Sequence, residues 1–194
     1  MGELSNNGSL SAMALRLLIF TATRTSEVLN SQWSEIDIEN AIWTIPASRM
    51  KTKREHRIPL SDAVLDDLKA LPRIDGNLHL FPGARYGKPL SNMALLQLMR
   101  GMGYGVKGPR GDYVPHGFRS SFRDWSGEVS SFPRDVAEMA LAHTIENKVE
   151  AAYGHRWINY FGIDQIQTAI ENLTKDNSSR RIWVNTWAPK EDTN

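Results

Sequence analysis

The stretch best suited to chemistry is Pro115-His116-Gly117-Phe118-Arg119-Ser120-Ser121-Phe122-Arg123-Asp124-Trp125. At about 100° per residue, a helix here gathers Phe118, Phe122 and Trp125 on one face. His116, Arg119 and Arg123 fall in a narrow sector of another. The aromatic face can bury itself while one imidazole and two guanidiniums stay together. Guanidinium forks match phosphate oxygens in two-point geometry, so the sector suits an anionic group. An ordinary solvated charge stripe has the same pattern.

Three further segments carry reactive side chains. Arg24, in Thr21-Ala22-Thr23-Arg24-Thr25-Ser26-Glu27, stands where a helix opens. A cation is disfavoured at that end of the dipole. It needs a carboxylate partner such as Glu27 or an external anion. Residues 49–57 hold five Lys/Arg and one acid between two strand-like runs. This makes a basic hairpin tip with Lys51, Lys53 and Arg54, either a charged turn that blunts a sheet edge or a lysine able to swing into a phosphate site. Last, Leu141-Ala142-His143 precedes Tyr153 by ten residues from the histidine. A histidine at a helix end commonly caps it, and a tyrosine commonly belongs to a core.

The elements that position these residues follow from periodicity. Residues 10–23 read as a buried helix and 26–33 as a second one. Residues 41–46 read as a strand with a proline stop, and 57–60 as the end of its partner. Ser61-Asp62 opens a helix with Val64, Leu65, Leu68 and Leu71 inward. Residues 77–81 suggest a short strand. Ser91 is the expected cap of a helix turning Leu95, Leu98 and Met99 inward. Five glycines within 101–111 make that stretch a loop. Residues 115–127 and 133–143 give two more helices, with Pro133 in a first turn. Ile163, Ile166, Ile170 and Leu173 recur at helical spacing. The fold class is α+β, mostly α-helical with a small antiparallel β-sheet. Expected boundaries are a disordered or partial lead-in over 1–11, a catalytic domain over 12–160 and a C-terminal helix or tail over 161–194.

Composition bounds the options. The 194 residues are 41% hydrophobic, enough for a core. Cysteine is absent, which removes disulfides, thiolate metal sites and a thiol nucleophile. No apolar run reaches the ~18 residues of a membrane span, and the polar start does not resemble a signal peptide. With 23 Lys+Arg against 22 Asp+Glu, the net charge of +1 gives no general support for a polyanion partner. The distribution is uneven, however. Basic residues crowd 49–57 and, as Arg100, Lys107, Arg110, Arg119 and Arg123, surround the H-x-x-R helix, while Asp62, Asp66, Asp67, Glu191 and Asp192 lie elsewhere. One basic concave face on a near-neutral domain is expected.

Taken in order, the four segments resemble the catalytic domain of tyrosine recombinases, particularly prophage integrases. The resemblance spans about residues 12–153 and includes Trp33-Ser34-Glu35-Ile36-Asp37. It implies a DNA breaking–rejoining core with Arg24, Lys51, His116, Arg119, His143 and Tyr153 as catalytic residues. Lys51 is favoured over Lys53 because it lies nine residues before Leu60 of the Pro59-Leu60 pair. Tyr153, rather than Tyr160, would attack a DNA phosphodiester and form a covalent 3′-phosphotyrosine. Arg24 and Arg119 would clamp the non-bridging oxygens, with His116 and His143 assisting. Lys51 would protonate the leaving 5′-oxygen. Lys53, Arg54 and Arg123 would contact DNA, with Arg123 equally readable as a surface charge. Glu27 would support Arg24. No metal, ATP or other cofactor is implied. The implied partners are double-stranded attachment sites, further copies in a tetramer and accessory DNA-bending proteins, in the cytoplasm at the nucleoid.

Two departures bear on these expectations. Integrases usually carry DNA-binding domains before the catalytic one, so the chain is expected to be a fragment or a truncated remnant. The residues after Tyr153 also differ, since Arg180, Arg181 and Trp183 stand further downstream than in many relatives. The 163–173 stretch would dock on a neighbouring subunit or pack on its own core. Alternatives of other kinds are a type IB topoisomerase-like enzyme and an inactive DNA-binding remnant of a prophage integrase.

Overall fold

Leu10–Thr21 is nearly all apolar, so a helix there must be covered on most sides. It forms α2, with Ala12, Ala14, Leu15, Leu17, Leu18 and Phe20 buried. Ser9 caps it, its Oγ accepting the Ala12 N–H at 3.2 Å. Ala22 ends it in the left-handed conformation, φ 50°. The computed structural model describes residues 2–105, 108–128, 130 and 134–143. Within it α2 is the central post. It touches α1 (Gly2–Ser5), α3 (Thr25–Leu29), α4 (Asp62–Ala70), α5 (Ala94–Gly101) and α6 (Gly117–Glu128). Arg16, the charge in the middle of α2, pairs with Asp67 of α4 at 2.8 Å. Helix α7 (Arg134–Ala140) packs on α6.

The sheet has three antiparallel strands in sequence order: β1 (Ile36–Asp37), β2 (Ile42–Ile45) and β3 (His56–Pro59). Trp43 pairs with Ile58 and Ile45 with His56. Trp43, Ile45 and Ile58 join the core, and strand alternation puts His56 on the same side as Ile58. The long β2–β3 connection carries the basic tip. The expected mixed fold, mostly helical with a small antiparallel sheet, is what forms.

Several local expectations change. The helix expected over 26–33 stops at Leu29, and Trp33–Glu35 forms a separate 3₁₀ turn. Asn30 and Ser31 cause the break. The Asn30 amide donates to the Ser26 carbonyl at 2.8 Å and the Ser31 hydroxyl to the Val28 carbonyl at 2.7 Å. Such side chains compete with the helical ladder. Residues 77–81 make only an isolated bridge, His79 with Gln32. Ser61 holds the N-cap position of α4 without a side-chain cap bond, and Met93 rather than Ser91 precedes α5. In the lead-in, Gly2–Ser5 is helical and Leu4 is buried. Pro133, Tyr153, the 163–173 stretch and the 161–194 tail lie outside the described residues. Among the described residues, no helix is long and apolar enough to cross a membrane.

Candidate active site

The turn out of α2 is held before Arg24 is reached. Thr21 and Thr23 are buried and their hydroxyls lie 2.8 Å apart. Arg24 then occupies the N-cap of α3 in extended conformation. Glu27 answers it twice. Its Oε2 accepts the Arg24 N–H at 2.8 Å and its Oε1 accepts from Nη1 at 2.7 Å. An acid in the first helical turn, returning to the cap N–H, satisfies an otherwise orphaned donor and offsets the misplaced cation. Glu27 is buried, so the pair is more than a surface contact.

Arg119 comes from α6 and is 6% exposed. The expected arrangement is therefore corrected. Phe118, Phe122 and Trp125 are only half-buried, while Arg119 and Ser126 take the inner positions. The reason is a set of carbonyls waiting inside. Arg119 Nη1 donates to the Ala22 carbonyl at 2.8 Å, and Nη2 donates to the Leu141 carbonyl. Both acceptors lie where helices end, at the α2 C-cap and just past α7, where carbonyls lack helical partners. A guanidinium has donors to bridge two such sites and still present others. Among the described residues, no carboxylate bonds it directly. Burial, followed by the nearby Arg24 cation, lowers the Arg119 guanidinium to about 10, against the opposing pull of Glu27 and Glu138. Arg24 and Arg119 thus lie close enough for their charges to interact, with Glu27 bonded to the first and acting electrostatically on the second.

His143 follows α7 after Ala142, another left-handed residue at φ 50°. Its N–H donates to the Glu138 carbonyl at 2.9 Å. Its Nδ1 contacts the Glu138 carboxylate. That carboxylate also faces Arg123 at 3.6 Å and Arg134 at 4.0 Å. Arg123, expected at DNA or as surface charge, is exposed and held by this ion pair. A carboxylate on one ring nitrogen fixes the imidazole's orientation and leaves Nε2 for another partner.

Lys51, Lys53 and Arg54 are all exposed on the hairpin tip, and His116 is exposed just before α6. Among the described residues, no hydrogen bond or ion pair joins Lys51 or His116 to the Arg24–Arg119 pair. Of the expected catalytic set, then, Arg24 and Arg119 come together, with Glu27 as their link and His143 close behind Leu141. Tyr153 lies outside the described residues. No group of three or more metal-ligating side chains occurs among the described residues.

Two participants escape sequence reasoning. His56 lies within electrostatic reach of Glu27, Arg24 and Arg119, with the Ala140 backbone at the end of α7 close by. Burial, above all, lowers its imidazole below the usual histidine value, with Arg119 and Arg24 adding to this and Glu27 and Ala140 opposing it. Its signal was period two: a polar residue two before buried Ile58 faces inward. Arg49 contacts both oxygens of Glu35 and the Glu27 carbonyl. No periodicity connects those positions.

Comparison with known proteins gives the family and the fold. The sequence matches the phage integrase family over residues 3–157. The chain belongs to the phage integrase family. Among curated members, it is 34% identical over 160 residues to the integrase of Enterobacteria phage P4, covering 75% of this chain and 36% of that protein. It is 36% identical over 137 residues to the prophage integrase IntA of Escherichia coli (strain K12), covering 70% and 32% respectively. The chain therefore spans about a third of the length of these integrases. In fold it resembles lambda integrase, solved as a tetramer bound to a Holliday junction. That likeness has a TM-score of 0.50 and 20% identity and covers 72% of this chain and 42% of the other. The family match extends past Tyr153 and includes all six residues expected to act.

Proposed function

We propose that this chain is the catalytic portion of a site-specific DNA recombinase that cuts and rejoins strands through a 3′-phosphotyrosine. The observation carrying the reading is the convergence of Arg24 and Arg119, the second buried and, among the described residues, with no carboxylate bonded to it. Two guanidiniums held rigidly together form a prepared site for an anion with several oxygens. Family membership and the likeness to a DNA-bound integrase fold support the same reading.

In the proposed reaction the Tyr153 hydroxyl attacks phosphorus. A Tyr–O–P bond forms, the phosphorus–5′-oxygen bond breaks, and the phenolic proton passes to His116. Lys51 gives a proton to the departing 5′-oxygen. Negative charge growing on the non-bridging oxygens meets the remaining donors of Arg24 and Arg119 and the His143 Nε2. A second 5′-hydroxyl then attacks the phosphotyrosine and reverses the sequence. No bond energy is lost, so neither ATP nor a metal enters. The exposed tip residues Lys53 and Arg54 would meet the DNA backbone, a tetramer of copies would synapse two attachment sites, and the nucleoid would be the place of action.

A nicked suicide duplex carrying the attachment-site sequence tests this. The wild-type chain should form a denaturation-resistant protein–DNA adduct in the presence of a chelator. DNA binding without an adduct would leave the inactive-remnant reading. Relaxation of supercoils without strand exchange would favour a topoisomerase-like enzyme.

A further inference from the structure

We propose that Arg49 is a positioning residue for Lys51: it fastens the base of the basic hairpin to the helix carrying Arg24 and so sets where the lysine can reach. The inference rests on the strand-cleavage reading above and goes beyond it, since the catalytic set does not include Arg49.

The anchor is built from both sides. Arg49 Nη1 meets both carboxylate oxygens of Glu35, and Nη2 donates to the Glu27 carbonyl. Glu35 is buried and also accepts the Trp43 Nε1–H at 3.0 Å, and Trp43 is fully buried in β2. Glu27 serves two ends at once. Its carbonyl holds Arg49 while its carboxylate holds Arg24. That carbonyl lies in the last turn of the short helix α3, where a ladder partner is missing. Between the first arginine and the hairpin there is thus a continuous path of hydrogen bonds through one glutamate.

Beyond the anchor the chain is fixed for one more residue. Met50 is buried at 2% exposure, and its carbonyl accepts the Lys53 N–H at 3.1 Å. Lys51, Lys53, Arg54 and Glu55 are all exposed. The Lys51 Cα is two residues from that of Arg49, so at most ~7 Å separates them. Arg49 and Met50 are therefore the last pinned points before the lysine. Arginine suits the task because one planar fork reaches acceptors on two elements, which an ammonium cannot reproduce.

The test uses the leaving group. Two nicked suicide duplexes carry the same attachment-site sequence, one with the normal 5′-oxygen at the scissile phosphate and one with sulfur in its place. In the first, the phosphorus–oxygen bond breaks and the oxygen needs a proton. In the second, the phosphorus–sulfur bond breaks and the thiolate leaves unprotonated. Lys51→Ala sets the reference, with the oxygen substrate slowed far more than the sulfur one. Arg49→Lys and Glu35→Gln, which preserve most of the buried volume, should slow the oxygen substrate by about 100-fold, as for a group displaced by about 1 Å. They should slow the sulfur substrate by less than about threefold if only proton donation is misplaced. Each variant is its own control, because a general loss of fold depresses both rates together. Equal slowing of both substrates, or wild-type rates on both, overturns the proposal while leaving the cleavage reading intact. A wild-type chain that forms no adduct with either substrate overturns the reading and the proposal together.

Discussion

Replacing Arg119 by lysine is the perturbation that most fully engages the site's physics. The buried guanidinium sits at about 10. At ~1.4 kcal/mol per pH unit, holding that charge inside costs about 3 kcal/mol relative to water. Arginine tolerates this because its charge persists far above neutral pH. A lysine starts from ~10.4, so the same burial carries its ammonium toward the neutral range. It also lacks the fork that serves Ala22 and Leu141 together. One carbonyl left unsatisfied costs ~1–3 kcal/mol, or a thermal midpoint lower by roughly 2–12 °C at this chain length. Loss of one prepared donor from an oxyanion site lowers the rate by about 10²–10³. The two pH dependences should run in opposite directions. Adduct formation by Arg119→Lys, divided by the wild-type rate, should fall as pH rises from about 6.5 to about 9, because the cation is lost. The variant's stability deficit should shrink over the same interval, because the unfolded chain then binds more protons than the folded one. Rates from the suicide duplex and midpoints from calorimetry give both quantities. A rate ratio independent of pH, with a wild-type midpoint, would refute the assignment of Arg119 as a buried, charged clamp.

Substitutions at three other positions address the scaffold. Ala142 is left-handed at φ 50°, a conformation costing a non-glycine residue ~1–2 kcal/mol. Ala142→Gly should raise the thermal midpoint slightly, while Ala142→Val should lower it and slow adduct formation through the adjacent His143. Wild type should lose stability as pH falls below ~6.5, since the unfolded His56 takes up a proton before the buried one does. His56→Asn, which retains a polar side chain near Ala140, should flatten part of that loss in a calorimetric pH series. Glu27→Gln keeps one acceptor for Arg24 but leaves two guanidiniums uncompensated. Urea unfolding should give about 2–4 kcal/mol less stability, short of the ~3–5 for a buried pair broken outright.

The elements legible in the sequence are those whose periodicity has one reading. Helix α2 is apolar on nearly all faces, and the β2–β3 hairpin alternates cleanly through Trp43, Ile45 and Ile58. In α4 Val64, Leu65 and Leu68 turn inward as spaced, and Leu71 just after it is also buried. The misses share a cause as well. Helix α6 looks amphipathic with an aromatic inner face, yet the acceptors that draw Arg119 inside belong to Ala22 and Leu141, remote in sequence. The break at Asn30 depends on side chains bonding back to the helix rather than on any change in hydrophobicity. The site divides the same way. Arg24 and Glu27 are legible because their bond is local, three residues apart on one turn. His56 and Arg49 are not, because their partners come from other elements. The left-handed Ala22 and Ala142 leave no compositional trace, since alanine is a strong helix former. They nonetheless place the two carbonyl-bearing turns between which Arg119 lies.

We propose that the ordered segments form one phosphate-transfer site with Tyr153 as its nucleophile. Trapping the adduct on a suicide duplex, digesting it and sequencing the DNA-bearing peptide tests this most directly. Phosphate should be found on Tyr153, Tyr153→Phe should give no adduct, and adduct formation should be indifferent to chelators. Phosphate on Tyr160 or another residue, or an undiminished adduct from Tyr153→Phe, would contradict it.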